Sequence, residues 1–231
     1  MARSPFPMRT DAYTAKRYAS HAAWLEGRTQ TVGASEVAMV MGIAPASWGN
    51  AVDLWNRKRN PPAETGNADT RRGSAAEEHI RALLQIENPD LRVADGTGVI
   101  FRSRQFPWLS CSLDAMLLSD DGTFCVVEIK DVRYTPHWKD GAVPRHYLYQ
   151  CAAQMLVTGA NAAILYPRIS YDFSQERDRL KRLCARTVRE TPMLIRRSQV
   201  KGQFAGIVRE TKEFHECVAS GNPPPVRLGR R

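Results

Sequence analysis

The spacing of hydrophobic residues along the chain changes from a helical period to a strand period and back. Several segments place apolar residues every three or four positions between capping or helix-breaking residues, which is typical of amphipathic helices. One of them follows Ser35, a residue type that favours the N-cap position. The predicted helices cover residues 11–26, 36–41, 51–59, 71–87 and 144–158, and a long helix begins at Asp172 and buries Leu180, Leu183, Cys184 and Val188.

Segments rich in apolar and β-branched residues lie between these helices and predict β-strands. The strands cover residues 99–101, 109–118, 124–130 and 162–167. Turn-forming residues at 119–122 separate the second strand from the third, so we expect these two strands to pair as an antiparallel hairpin. Helices that alternate with strands in this way predict an α/β (α+β) fold whose sheet is partly covered by helices on both faces.

The length and composition of the chain indicate one globular domain. A chain of 231 residues is long enough to bury a sizeable core, and 43% hydrophobic with 25% charged residues exclude a wholly disordered or fibrous protein. We expect the domain to cover residues 1–222, and residues 223–231 to form a Pro-rich, basic and poorly ordered tail. No apolar run approaches the about 18–20 residues of a membrane span, and the N-terminal residues lack an apolar signal region, so neither membrane anchoring nor secretion is indicated.

Charge and cysteine content narrow the environment and the partners. Lys and Arg outnumber Asp and Glu by 33 to 24, a net charge of +9 that favours polyanionic partners such as nucleic acid. The five cysteines form no Cys-x-x-Cys pair, which indicates free, mostly buried thiols in a reducing cytoplasm. The five histidines lack the spacing of a zinc site, so neither structural zinc nor an iron–sulfur cluster is indicated.

The candidate chemistry lies in the predicted hairpin. Residues two apart in a strand share a face, so Glu128 and Lys130 project together while Val127 and Ile129 pack on the opposite face. By the same rule Ser112 and Asp114 share a face of the preceding strand. We therefore expect the hairpin to bring the Asp114 carboxylate beside Glu128.

Two carboxylates with an ammonium group close by suit a hard divalent cation and a phosphate. Mg²⁺ prefers oxygen ligands and keeps several waters, so Asp114, Glu128 and the backbone carbonyl of Ile129 leave positions for phosphate oxygens and a water molecule. Lys130 can orient the nucleophile or neutralise charge that develops on the phosphate. The residues alone leave an alternative open, in which Glu128 and Lys130 are a solvated pair on an edge strand and Asp114 caps a turn.

An ordered series of motifs resembles a known family. Leu113–Asp114 followed by Glu128–Ile129–Lys130 resembles the PD-(D/E)xK nuclease signature, with Leu in place of the usual Pro. Three further segments are similar to those of the phage lambda exonuclease family, also called YqaJ-type viral recombinases. They are Val32–Val37, then Gly73 with Glu77 and Arg81, then Tyr147–Gln154 leading to Val157–Gly159. The tail segment 213–223 is also similar to the family's C-terminal helix.

The resemblance implies a fold, an activity and partners. The fold is a restriction-endonuclease-like PD-(D/E)xK core, in which helices flank a mixed central sheet. The activity is a metal-dependent exonuclease that degrades double-stranded DNA from an end, 5′ to 3′, releasing mononucleotides and leaving a 3′ single-stranded tail. The implied cofactor is Mg²⁺, with Mn²⁺ as a substitute and two ions bound. The implied partners are double-stranded DNA ends and a single-strand annealing protein, the assembly is a homotrimeric ring, and the setting is the cytoplasm of a bacterial host of a phage or prophage.

The resemblance also implies roles for individual residues. Asp114, Glu128 and the Ile129 carbonyl match the metal ligands and Lys130 matches the catalytic lysine. Glu77 matches an acidic residue that approaches the metal directly or through water, and Gln150 matches a glutamine that orients lysine, water or substrate. By pattern alone, Glu77 is equally explained as a solvated helix carboxylate and Gln150 as a helix-surface residue.

Further residues match DNA-binding positions. Arg28, Ser35 and Ser112 resemble a pocket for the terminal 5′-phosphate, and Arg71 and Arg72 are candidate contacts to backbone phosphates. Ser35 alone is equally explained as an N-cap, and the two arginines as a solvated basic face. The candidates for stacking at a duplex end, or for the core, are Trp48, Trp55, Trp108 and Trp138.

Two other functions fit the same residues. One is a site-specific or structure-selective endonuclease on the same fold, which would nick closed circular DNA. The other is a non-catalytic DNA-end-binding recombination protein, in which the basic surface acts and the carboxylates do not.

Overall fold

A computed structural model of the chain describes residues 10–61, 68–170, 179–180 and 188–225. Its helices include α1 (His21–Thr29), α2 (Val37–Val40), α3 (Ala51–Arg59), α4 (Ala68–Glu87), α5 (Arg145–Thr158) and α6 (Arg197–Ser220). The strands are β1 (Tyr13–Arg17), β2 (Val32–Gly33), β3 (Arg92–Asp95), β4 (Val99–Ser103), β5 (Leu109–Cys111), β6 (Ala115–Leu118), β7 (Phe124–Arg133), β8 (Ala162–Ser170), β9 (Val188–Glu190) and β10 (Met193–Arg196). Short 3₁₀ turns cover Ala34–Glu36, Ala46–Trp48 and Pro136–Gly141.

The strands form two sheets. In the larger sheet the order is β10–β8–β7–β6–β3, and β9 pairs with residues 168–170 at the C-terminal end of β8. The strands β7 and β8 run parallel whereas β6 and β7 run antiparallel, so this sheet is mixed. The smaller sheet has the order β1–β4–β5–β2. The strand β7 lies inside the larger sheet, with a neighbour on each side.

Helices cover both faces of the larger sheet. On one face, Ile80 and Leu84 of α4 pack against Val127 and Ile129 of β7. The other face packs against α5, whose middle is buried, and α6 packs in turn on α5. Burial of apolar area on both sides of the sheet is the main stabilising contribution to such a layered fold. The predicted α/β class, a mixed sheet flanked by helices, is confirmed.

The helix α5 forms where the sequence predicts it. Pro144 precedes the first helical residue, a position where a fixed φ angle is favourable and a missing N–H costs little. Gly159 ends the helix with a φ of +79°, in the left-handed region that glycine adopts without strain. The helix α3 likewise has the predicted bounds, and Asn50 caps it by accepting hydrogen bonds from the backbone of Val52 and Asp53.

The predicted first helix over residues 11–26 is wrong for residues 11–20 and confirmed for residues 21–26. Residues Tyr13–Arg17 form β1, which pairs with β4, and a separate helix begins at His21. Tyr13 and Ala15 are two positions apart, so they also fit a strand period, and aromatic and β-branched side chains favour strands. Ser20 marks the true helix start, because its hydroxyl accepts a hydrogen bond from the Ala23 backbone N–H at 3.2 Å.

The predicted single strand over residues 109–118 is also wrong. The chain leaves the smaller sheet after Cys111 and enters the larger sheet at Ala115, so β5 and β6 belong to different sheets. Ser112 and Asp114 lie in the irregular segment between the two strands and do not share a strand face. The predicted hairpin of β6 and β7 around residues 119–122 is confirmed.

The C-terminal third differs in part from the prediction. Most of the predicted helix from Asp172 to Val188 lies outside the described residues, among them Leu183 and Cys184. Leu180 is exposed and Val188 begins β9, so neither residue is an inward-facing helix position. Of the predicted tail, Pro224 is buried and residues 226–231 lie outside the described part of the chain. The domain boundaries themselves stay a prediction.

Two further expectations concern cysteines and membranes. The described cysteines Cys111, Cys125, Cys151 and Cys217 are free thiols, and the first and third of them are buried. Within the described residues, none of the helices combines the length and the hydropathy that a membrane span requires.

Candidate active site

Asp114 is held at the entrance of β6 by the backbone of β7. Its Oδ2 atom accepts a hydrogen bond from the backbone N–H of Ile129 at 2.7 Å. Ala115 pairs with Val127 in the antiparallel ladder, which sets this register. The hairpin therefore brings Asp114 beside Glu128 as predicted, although Asp114 comes from an irregular segment rather than from a strand.

Glu128 and Lys130 lie on the α5 face of the sheet. Glu128 is only 2% exposed, and its Oε1 atom contacts the Lys130 ammonium. Val127 and Ile129 pack on the opposite face, as the two-residue period of a strand requires. The alternative of a solvated pair on an edge strand is wrong, because β7 is an inner strand and Glu128 is buried.

Two glutamines of α5 complete the surroundings of Glu128. Gln150 donates a side-chain hydrogen bond to Oε1 of Glu128 at 2.5 Å, and Gln154 donates one to Oε2. Both glutamines are buried, so Gln150 is not a solvated helix residue. Gln154 has no role among the predicted site residues, yet its signal is present in the sequence. A spacing of four residues places two side chains on the same face of a helix.

Burial and like charges shift the pKa values of the cluster. Burial raises the pKa of the Asp114 carboxyl well above its ordinary value, and the neighbouring Glu128 charge raises it further. For Lys130, burial acts to lower the pKa, but the Glu128 and Asp114 carboxylates outweigh it and leave the pKa above its ordinary value. The ammonium group of Lys130 therefore keeps its proton at neutral pH.

Glu77 lies at the edge of this cluster on α4. It faces Arg81 across 3.8 Å, and Arg81 also donates a hydrogen bond to the backbone carbonyl of Asp114 at 3.3 Å. Burial raises the pKa of Glu77, and the Glu128 charge adds to this rise although Arg81 opposes it. Glu77 is thus neither fully solvated nor isolated, and its side chain adds negative charge next to Asp114 and Glu128.

The donor set of the cluster fits a hard divalent cation. It offers carboxylate oxygens from Asp114 and Glu128 and the carbonyl of Ile129, which are ligands that Mg²⁺ accepts. Burial raises the pKa of Asp114 and the neighbouring Glu128 charge adds to the rise, and a cation bound here would oppose both effects. Among the described residues, no three His, Cys, Asp or Glu side chains converge to hold an ion by themselves. An ion here would therefore use two carboxylates and complete its shell with the carbonyl and water.

The three residues predicted to bind a terminal phosphate lie together. Arg28 donates a hydrogen bond to the Ser35 hydroxyl at 2.9 Å, and its guanidinium lies 4.8 Å from the centre of the Trp24 ring. The indole N–H of Trp24 in turn donates to the Ser112 hydroxyl at 3.2 Å. Ser35 lies inside the 3₁₀ turn, whose N-cap is Gly33, so the alternative of Ser35 as an N-cap is wrong.

A buried lysine supports the segment that carries Arg28 and Ser35. Lys58 of α3 donates hydrogen bonds to the backbone carbonyls of Arg28 and Thr31 at 2.8 and 2.6 Å. It also pairs with the Glu36 carboxylate at 2.6 Å, and Glu36 accepts the backbone N–H of Gly33 at 2.7 Å. Burial lowers the pKa of Lys58, which the Glu36 charge opposes. Sequence patterns miss this network because its members come from distant segments.

Arg72 has a structural partner. Its guanidinium contacts the Asp131 carboxylate, which is almost fully buried and also accepts a hydrogen bond from Arg168 at 3.1 Å. The alternative of a solvated basic face is thus wrong for Arg72, and a contact to DNA phosphates stays a prediction. The side chain of Arg71 lies outside the described residues.

The four tryptophans have three different kinds of surroundings. Trp55 and Trp108 donate indole hydrogen bonds to Cys217 and Thr211 of α6, so they fix this helix to the core. Trp138 is buried against Tyr147. The half-buried Trp48 lies near His146 and Tyr147, and the Lys130 ammonium lies 5.4 Å from the centre of the Tyr147 ring. Trp48 is therefore the tryptophan of the four that combines partial exposure with a position near the cluster of Asp114, Glu128 and Lys130.

Solved structures with the same fold are known. The chain is similar to an alkaline exonuclease, LHK-Exo, from Laribacter hongkongensis, with 23% identity and a TM-score of 0.62 over 87% of this chain and 93% of that one. The structure of LHK-Exo in complex with dAMP matches over the same shares at 23% identity, with a TM-score of 0.61. A phage-related exonuclease from Haemophilus somnus 129PT matches at 14% identity and a TM-score of 0.53, over 83% of this chain and 96% of that one.

Fold and site together define a class. A mixed sheet flanked by helices, with Asp114, Glu128 and Lys130 gathered on one hairpin, is the arrangement of a PD-(D/E)xK-type fold. The family model of the YqaJ-like viral recombinase domain matches residues 23–161, which is more than half of the chain. The chain belongs to this family, as its motifs indicated. No curated protein matches the sequence.

Proposed function

We propose that this chain is a Mg²⁺-dependent exonuclease that degrades double-stranded DNA from an end, 5′ to 3′, and releases mononucleotides. The observation that carries the proposal is the hairpin geometry, in which the Ile129 N–H holds the Asp114 carboxylate beside Glu128 and Lys130. Membership of a viral recombinase family, a fold shared with two exonucleases and a net charge of +9 support it.

The residues of the cluster divide the work of hydrolysis. Asp114, Glu128 and the Ile129 carbonyl would hold the cation, and Glu77 would reach it through water. When bound, Mg²⁺ supplies Lewis-acid activation of a water molecule and of the scissile phosphate. Lys130 keeps its positive charge and neutralises negative charge that develops on the phosphate. Gln150 holds Glu128 in a fixed orientation, so little reorganisation is needed during the reaction.

The Arg28 region, which we define as Arg28 with its neighbours Trp24, Ser35 and Ser112 and the supporting pair Glu36 and Lys58, provides the preference for a DNA end. A guanidinium carries five N–H donors, of which Ser35 takes one, so donors are left for a terminal 5′-phosphate. Trp24 stacks beside the guanidinium and links it to Ser112. A phosphate held here would fix the chain end with respect to the catalytic cluster. This supports a 5′ to 3′ direction that leaves a 3′ single-stranded tail.

The test is digestion of linear duplex DNA that is labelled at either end. Duplexes with and without a 5′-phosphate are compared in Mg²⁺, in Mn²⁺ and in chelator, with the Lys130→Met variant as the inactive control. We expect mononucleotide release from the 5′-phosphorylated strand, in both metals and not in chelator. Nicking of closed circular DNA would favour an endonuclease, and end binding without cleavage in any metal would favour a non-catalytic binding protein.

The proposal extends to assembly and context. We propose a homotrimeric ring that acts with a single-strand annealing protein in phage-type recombination, as the family resemblance implies. Light scattering on the purified protein tests the first part, and a monomer at micromolar concentration would contradict it. Copurification of the annealing protein of the same phage or prophage tests the second part.

A further inference from the structure

Gln154 is a polar side chain in an otherwise apolar part of α5. It is 0% exposed, and its helix neighbours Cys151, Ala153 and Met155 are equally buried. A polar side chain is expensive to bury unless hydrogen bonds compensate for the lost water. Packing alone would therefore favour an apolar residue of similar size at this position.

The amide of Gln154 connects the segments that carry the two proposed metal ligands. Its Nε2 atom donates a hydrogen bond to Oε2 of Glu128 on β7. The same nitrogen lies 3.5 Å from the backbone carbonyl of Ser112, two residues before Asp114. Gln154 thus contacts both Glu128 and the irregular segment that ends at Asp114.

The other end of the same amide lacks a partner. The Oε1 atom of Gln154 is buried and accepts no hydrogen bond within the described part of the chain. Rotation of the amide by 180° would give Oε1 other neighbours, but it would also place this oxygen against the Glu128 carboxylate, where two acceptors repel. Of the two orientations, only the present one places the Gln154 donor on Oε2 of Glu128, at the cost of an unsatisfied carbonyl.

The hydrogen bonds of Glu128 show which of its two carboxylate oxygens the Gln154 amide holds. Gln150 and Lys130 both contact Oε1, whereas Gln154 contacts Oε2. A carboxylate offers about four acceptor positions, two on each oxygen. Among the described donors, Oε1 is saturated and Oε2 keeps one position. The position left for a cation therefore lies on the oxygen that Gln154 holds.

We propose that Gln154 is a positioning residue that orients the Glu128 carboxylate towards a divalent cation and so sets the metal affinity of the site. This inference rests on the proposed function, because it requires Glu128 to bind metal. In this role Gln154 would act through Glu128, without contacting the metal or the reacting atoms itself. Loss of such a supporting hydrogen bond in other metal sites weakens metal affinity by about 10–100-fold.

The experiment measures Mn²⁺ binding directly, by the loss of the electron paramagnetic resonance signal of free Mn²⁺, in the full-length protein without DNA. We expect Gln154→Met, which keeps length but removes the donor, to raise the half-saturating Mn²⁺ concentration about tenfold or more. The Mn²⁺ midpoint of DNA cleavage should rise by the same factor, while KM for DNA ends stays within about twofold. Gln154→Asn keeps the amide on a shorter side chain, so its half-saturating Mn²⁺ concentration should lie between those of the wild type and Gln154→Met. This variant replaces Gln154→Met in the experiment if Gln154→Met does not fold.

Gln203→Met is the matched control, because Gln203 of α6 also has a buried side-chain oxygen without a hydrogen bond in the described residues. Its Mn²⁺ midpoint should equal that of the wild type. If Gln154→Met or Gln154→Asn lowers the melting temperature but leaves the midpoint unchanged, the role of Gln154 is overturned while the proposed function stands. If the wild-type protein binds no Mn²⁺ at millimolar concentration, the metal-dependent function and the role of Gln154 both fail.

Discussion

The carboxylate cluster and the Arg28 region place their charges in opposite ways. Around Asp114, three carboxylates including Glu128 and Glu77 lie near two cations, so negative charge is in excess. Around Arg28, two cations share the single carboxylate of Glu36, so positive charge is in excess. The first region is therefore suited to a cation, and the second to an anion.

The two regions also differ in what their buried charges do. Lys58 and Glu36 compensate each other and hold backbone groups, so they stabilise the fold and leave Arg28 to a ligand. Burial and the neighbouring Glu128 charge raise the pKa of Asp114, so the ionised carboxylates oppose the stability of the metal-free protein. The comparison predicts that substitutions in the first region change chemistry, whereas those in the second change folding and end recognition.

Asp114→Asn should have the largest effect on activity. The amide keeps an oxygen for the Ile129 N–H but removes the charge of a proposed metal ligand, so we expect cleavage to fall by about 10³-fold or more. Burial of a carboxylate is relieved at the same time, so the metal-free variant should melt at least about 2 °C higher, which corresponds to about 1 kcal/mol for a domain of this size. A variant with wild-type turnover, or with a lower melting temperature, would contradict this account of Asp114.

The stability of the metal-free protein should depend on pH in a definite direction. The pKa of Asp114 is raised in the folded state, so the folded state binds more protons than the unfolded state above the ordinary pKa of Asp. The contribution of Asp114 to the free energy of unfolding should therefore fall as the pH rises from the ordinary pKa to the raised one. Urea denaturation across this range, in chelator, should show a steeper fall for the wild type than for Asp114→Asn. Parallel curves would contradict the shift.

Lys58→Met should have the largest effect on stability. Methionine fills the same space, but it takes the ammonium away from the Glu36 carboxylate and from the carbonyls of Arg28 and Thr31. Glu36 then keeps the Gly33 N–H and the more distant Arg28 guanidinium, at 3.9 Å. Breaking a buried ion pair in this way costs about 3–5 kcal/mol, which urea denaturation measures. Lys201→Met, on the exposed side of α6, is the control and should change stability by less than about 0.5 kcal/mol.

A second substitution separates the charge from the packing in this region. Adding Glu36→Gln to Lys58→Met removes the carboxylate that has lost its close ammonium partner, so part of the lost stability should return. No recovery in the double variant would mean that Lys58 stabilises through the two carbonyls alone. The preference for a 5′-phosphate should weaken in both variants, because Arg28 and Ser35 lose their support.

The central elements of the fold follow from local patterns in the sequence. Pro144 and Gly159 bound α5, and the two-residue period of β7 places Glu128 and Lys130 on one face whatever the rest of the chain does. The first segment failed because Tyr13 and Ala15 fit both periods over a short stretch. The break before Asp114 was missed because residues 109–118 contain no Gly or Pro that would mark it.

Other parts of the site depend on contacts that local patterns do not contain. Lys58 supports residues about 30 positions earlier in the chain, and Trp24 contacts Ser112 from 88 positions away. A lysine near the end of a helix is ordinarily solvated, so its burial follows only from the packing of α3 against the Arg28 segment. The role of Gln154 is partly predictable. Its four-residue spacing from Gln150 is visible in the sequence, but its contact with Glu128 is not.

Arg28→Gln should have a smaller and more specific effect. Hydrogen bonds to a charged group contribute about 1.5–3 kcal/mol, so the preference for 5′-phosphorylated over 5′-hydroxyl ends should fall by about 10–100-fold. The rate at saturating DNA should stay within a few-fold of the wild type, because the carboxylate cluster is intact. Arg104→Gln, an exposed arginine outside both regions, is the control. Equal preference in Arg28→Gln and wild type would remove Arg28 from end recognition.

Arg72→Gln should have the smallest effect on stability and on DNA cleavage. It tests whether an arginine near the site that has a structural partner also binds DNA. Arg72 differs from Arg28 because its partner is the buried Asp131 carboxylate, which Arg168 also contacts. One partner of Asp131 remains after the substitution, and the Arg72 side chain is partly exposed, so stability should fall by only about 1 kcal/mol. KM for DNA and its salt dependence should stay unchanged. A loss of about one unit in the salt slope would show instead that Arg72 leaves Asp131 to contact a DNA phosphate, because each phosphate contact contributes about that much.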